Sequence, residues 1–73
     1  MPSVLPVLRP TEIIRVLERF GFRFVSQRGS HQKYTDGKHV VIIPMHDTVA
    51  KGTLRSILTM ADISAEEFLE QLN

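Results

Sequence analysis

The sequence predicts an α+β domain in which one helix precedes three antiparallel strands and further helix follows. Three observations carry that expectation. Ile13, Val16, Leu17 and Phe20 recur at i, i+3, i+4 and i+7, the spacing of one helix face. Aromatic and β-branched residues then concentrate between Phe22 and Ile43, punctuated by Gly29 and by Asp36-Gly37. Leu54, Ile57, Leu58 and Ala61 restore helical spacing.

The first helix is expected over residues 10–20, with Pro10 at N1 and Gly21 at C′. Phe22 to Gln27 follows as a strand, with Arg28-Gly29 as its turn, and Ser30 to Thr35 returns as a second. Asp36-Gly37 is the signal of a two-residue type I′ hairpin, leading into Lys38 to Ile43 as the third strand, stopped by Pro44. That loop pairs Thr35 with Lys38, Tyr34 with His39, Lys33 with Val40, Gln32 with Val41 and His31 with Ile42. His31, Lys33, Val40 and Ile42 then share one face. Gln32, Tyr34, His39, Val41 and Ile43 share the other. Burying Tyr34, Val41 and Ile43 leaves His31 and Lys33 in the open. After a loop over residues 44–51, a helix runs from Gly52 to Ala61. Ser64 with Glu67 forms a capping box ahead of a short C-terminal helix carrying Phe68, Leu69 and Leu72. Residues 1–9, with Pro2 and Pro6, read as an extended arm on a single domain over 10–73.

Composition narrows the chemistry. The 73 residues hold no cysteine, which excludes disulfides, thiolate metal sites and a cysteine nucleophile. The longest apolar run, Val40 to Ile43, is too short to span a bilayer, and residues 1–10 lack the basic start of a signal peptide. A cytoplasmic protein is the default expectation. Net charge is only +1, but all nine Lys and Arg lie within residues 1–61, which carry +5, while residues 62–73 carry −4. A basic working surface with an acidic C-terminal appendage fits this split.

His31, His39 and His46 have no zinc-ligand spacing, and no nearby carboxylates complete a metal triad, so no metal and no other cofactor are expected. Asp36 is engaged by its turn, which disfavours two-metal chemistry. Metal-free RNA cleavage remains. RNA carries its own nucleophile in the 2′-OH, and an imidazole with a reference pKa of about 6.5 can move the proton. By spacing alone His31 reads first as an ordinary surface-strand residue, and His39 reads as structural. His46, in the loop before the second long helix, is within possible reach of His31. Lys51 and Arg55 stand on the opening turns of that helix, where cations oppose the macrodipole and a bound anion such as phosphate would relieve them. Arg28 and Lys33 flank His31 and extend the basic patch.

Three segments, Gly29-Ser30-His31, Ile43-Pro44-Met45-His46 and Gly52-Thr53-Leu54-Arg55-Ser56-Ile57-Leu58 with Ile63-Ser64, together resemble the HicA family of toxins from HicA–HicB toxin–antitoxin pairs. The likeness runs from about Thr11 to Leu72. It implies a fold like the double-stranded RNA-binding domain and a metal-independent endoribonuclease acting on mRNA, with the histidine of the Gly-Ser-His motif, His31, as catalytic residue. It also implies a HicB-like antitoxin that covers the site. Two features depart from the family pattern: the proline-rich arm is longer, and Asp62 stands where a glycine is usual before Ile-Ser. An aspartate tolerates the left-handed geometry that glycine supplies. Two other readings fit the same residues. One is a non-catalytic double-stranded RNA-binding module on this fold. The other is a protein-interaction domain whose basic face meets an acidic partner.

Overall fold

A computed structural model describes residues 4–72. The order is α1 (Pro10–Arg19), β1 (Arg23–Arg28), β2 (His31–Thr35), β3 (Val40–Pro44), α2 (Lys51–Ala61) and α3 (Ala65–Glu70). The three strands are antiparallel with β2 in the centre, as expected for a fold like the double-stranded RNA-binding domain.

α1 starts with Pro10 at N1, where its missing N–H costs nothing. The Arg9 N–H donates to the Glu12 carboxylate at 2.9 Å. Gly21, at φ +91°, ends the helix and lets the Phe22 N–H turn back onto the Leu17 carbonyl at 3.1 Å. Phe22 is thereby drawn into the core, and β1 begins one residue later than the sequence pattern suggested.

Two turns differ from expectation. Arg28 belongs to β1, and the first turn is Gly29-Ser30, with positive φ at Gly29 alone, the type II′ pattern. The second is a four-residue loop, so β2 and β3 pair two residues further along: Thr35 with Val40, Tyr34 with Val41, Lys33 with Ile42, Gln32 with Ile43 and His31 with Pro44. A type I′ turn needs positive φ at both Asp36 and Gly37, and only Gly37 has it. Asp36 instead folds the loop around its side chain. Its Oδ1 accepts the N–H groups of Lys38 (2.9 Å) and His39 (2.6 Å), and its Oδ2 meets His39 Nδ1 at 3.0 Å. These bonds, those from His39 foremost, hold the Asp36 carboxyl well below the usual range. His39 is thus structural, though in the loop and not opposite Tyr34.

A two-residue slip preserves the alternation of a strand, so the faces are as expected. Tyr34, Val41 and Ile43 are buried against the helices, and His31, Lys33, Val40 and Ile42 are exposed on the open face. The core joins them to Ile13, Val16 and Leu17 of α1, Leu54, Ile57 and Leu58 of α2, and Phe68 of α3. At its rim the Tyr34 hydroxyl donates to Gln32 Oε1 at 2.8 Å. Burial pushes that hydroxyl's pKa up, with the Glu18 charge adding to the effect.

α2 begins at Lys51, with Ala50 as an N-cap that offers no side-chain acceptor. It ends at Asp62 in the left-handed region (φ 59°, ψ 41°), where the Ile63 N–H returns to the Leu58 carbonyl at 3.0 Å. Ser64 and Glu67 cap α3 reciprocally, each bond 3.0 Å, which lowers the Glu67 carboxyl below its ordinary value. The arm is extended but anchored. Leu5 and Leu8 are buried, and the Val49 N–H donates to the Leu8 carbonyl at 2.7 Å. Residues 1–3 of that arm and residue 73 lie outside the described part.

Candidate active site

The open face of the sheet carries a shallow depression lined by Ser26, Arg28, His31, Lys33 and Ile42. Strand alternation and pairing account for all five. Arg28 pairs with His31, Ser26 with Lys33, and Lys33 with Ile42, while His31 and Lys33 stand two residues apart on β2 and share a face. A bulge between Phe24 and Ser26 adds one residue to β1. Without it Phe24 would follow Ser26 and Arg28 onto the open face. With it, Phe24 lies opposite Tyr34 and meets it edge-on, ring centroids 5.8 Å apart.

His31, Arg28 and Lys33 are exposed, so the depression is a wet cationic surface with one imidazole in it. His46 approaches from the loop after β3, its ring centroid 6.3 Å from that of His31 with the planes at 71°. Lys51 and Arg55 do not line the depression. They sit one turn apart on α2, and at 100° per residue they occupy the flank opposite Thr53, Ser56 and Met60, which line a second depression with Val40 and Ile42 of β3. Sequence reasoning missed Ser26 as a lining residue. Its place follows from pairing two-by-two back from a Gly29-Ser30 turn, which the assignment of Arg28 to the turn obscured.

Among the described residues no group of three His, Cys, Asp or Glu side chains is arranged to hold a metal ion. No helix among them is long and apolar enough to cross a membrane.

A helix-backed three-stranded sheet with a free basic face is the layout of a small protein that resembles the double-stranded RNA-binding domain in fold. The family model described as "HicA toxin of bacterial toxin-antitoxin" matches residues 10–63. The chain therefore belongs to the HicA toxin family, and it is the toxin of a toxin–antitoxin system. No curated protein matches the chain. The matched span runs from the first residue of α1 to the Ile63 that closes α2, and so takes in the whole sheet and the His31 turn.

Proposed function

We propose that the protein is an endoribonuclease that cleaves mRNA without a metal ion, with His31 as catalytic residue. The observation that carries this reading is the imidazole of His31 in a cationic depression between Arg28 and Lys33, on the open sheet face of a HicA-family toxin. The chemistry needs little else. The 2′-OH of RNA is the nucleophile, and the phosphodiester gains negative charge as it is attacked. Fixed cations beside the reacting group stabilise that charge. His31 removes the 2′-OH proton or delivers one to the leaving oxygen. Arg28 and Lys33 hold the phosphate at the site of cleavage. Lys51 and Arg55, on the flank of α2, hold phosphates further along the strand, assisted by first-turn N–H groups that Ala50 leaves without a side-chain acceptor. A protein that degrades mRNA works in the cytoplasm, and its partner is an antitoxin of the HicB type seated over the open face. Val40, Ile42 and Met60, all close to half exposed or more, give such a partner apolar area beside the cations.

The test is induced expression of the wild type and of His31→Ala in a bacterial host, following growth and total RNA. Arrest with mRNA loss in the wild type alone is the expected result, with cleavage by the variant reduced by about 10²-fold or more. A His31→Ala protein that still arrests growth overturns the assignment. RNA binding without fragments, in a wild type that leaves growth intact, would make the domain a binding module.

A further inference from the structure

His46 stands beside His31 because two backbone contacts bind its loop to the Gly29-Ser30 turn. His31 pairs with Pro44 at the end of the ladder, and the Met45 N–H donates to the Ser30 carbonyl at 2.6 Å. The loop leaving β3 is therefore fastened to the very turn that presents His31. Both rings are exposed, and among the described residues neither hydrogen-bonds another side chain, in contrast to His39, which Asp36 holds. Two imidazoles converging from separate strand ends, each otherwise unengaged, need an explanation that packing does not supply.

Cleavage by an internal 2′-oxygen has a geometric requirement. The nucleophile and the leaving oxygen occupy opposite sides of phosphorus, so one proton is taken on one side while another is delivered on the other. Each transfer needs a nitrogen within about 2.6–3.2 Å of its oxygen. Two ring centroids 6.3 Å apart can span a single phosphorus in this way. Resting on the ribonuclease reading above, we propose that His46 is a second catalytic residue, the general acid that protonates the leaving 5′-oxygen, with His31 as the general base.

The step balances. The 2′-oxygen forms a bond to phosphorus as its proton passes to neutral His31. The bond from phosphorus to the 5′-oxygen breaks, and that oxygen takes a proton from the His46 imidazolium. The products are a 2′,3′-cyclic phosphate and a 5′-hydroxyl. No water is consumed and no oxidation state changes. Proton exchange with solvent then resets both rings.

The experiment compares wild type, His31→Ala and His46→Ala on an RNA oligonucleotide. Each is also tested on the same oligonucleotide carrying a bridging 5′-sulfur at the linkage that the wild type cuts. A thiolate leaves without being protonated, so it dispenses with the acid but not with the base. The expected result is that His46→Ala loses about 10²- to 10⁴-fold on RNA and returns to within roughly tenfold of wild type on the sulfur substrate. His31→Ala stays defective on both. His46 is exposed, and an unchanged melting temperature shows that the variant folds. The proposal is overturned if His46→Ala cuts RNA within about threefold of wild type, or if sulfur fails to restore it. Should the wild type cut no RNA at all, the ribonuclease reading itself fails, a result distinct from either.

Discussion

The two faces of the sheet are built from the same three strands and do opposite work. On the covered face Tyr34, Val41 and Ile43 are at most 5% exposed and lock the sheet to the helices. On the open face Ser26, Arg28, His31, Lys33 and Ile42 line an open depression. Neighbouring residues along β3, Ile42 and Ile43, are 45% and 0% exposed. The two-residue period of a strand thus separates the packed face from the proposed catalytic face within a single turn of pleat. On the ribonuclease reading, open-face residues can be exchanged to alter function while the core is left alone, and the converse substitution removes both together.

The sharpest way to break this contrast is to truncate both isoleucines. Ile43→Ala should cost about 2–5 kcal/mol, comparable with the whole stability of a domain this small, and should unfold it at 37 °C. Ile42→Ala should cost under about 1 kcal/mol, with chemical denaturation as the measurement. Equal losses would mean that the open face is a second core. On the functional side, Arg28→Ala or Lys33→Ala should leave the melting temperature unchanged. Each should lower the slope of log affinity for RNA against log salt by about 1, measured by titration from low to physiological salt. Smaller again is Asp62→Gly, outside both faces. Removing a side chain from a left-handed position should stabilise by about 0.5–1 kcal/mol without touching RNA binding.

Acid should separate the loop from the faces. The Asp36 carboxyl is lowered in the folded protein, so the folded state favours its ionised form. Its contribution is complete above the ordinary carboxylate pKa of about 3.9 and is lost as pH falls below it. Acid unfolding of Asp36→Asn should therefore be less steep below about pH 4 than that of the wild type.

Much of this was legible in the chain, for identifiable reasons. Helix ends are local: Pro10, Gly21, Ser64 and Glu67 each act within a few residues, and the cap geometry matches their pattern. Asp62 could be read as a left-handed residue for the same reason. Face assignment survived the wrong register because a slip of two residues leaves the alternation intact. What the sequence pattern missed is a choice between arrangements that the same residues allow. The Asp36 carboxylate out-competed the type I′ turn that Asp-Gly suggests, and no spacing rule weighs those two hydrogen-bond arrangements. The two-residue difference also decides the site, because it brings Pro44, in place of Ile42, opposite His31 and carries His46 to within 6.3 Å of it. Membership of the depression for Ser26 depends on the turn at Gly29-Ser30, and the rescue of Phe24 depends on a bulge that nothing in Phe24-Val25-Ser26 announces.

That bulge bears also on what happens when many copies of the chain meet. β1 is an edge strand whose six residues are all exposed, with Phe24 and Val25 each about half accessible. A straight strand of that composition is a template for edge-to-edge pairing between molecules. The extra residue at Val25 breaks the regular run of free N–H and C=O groups and twists the edge, and Arg23 and Arg28 set like charges at its two ends. Pro44 closes the other edge with a residue that has no N–H to offer. A toxin released from its antitoxin thus presents sheet edges that oppose pairing with further copies of itself.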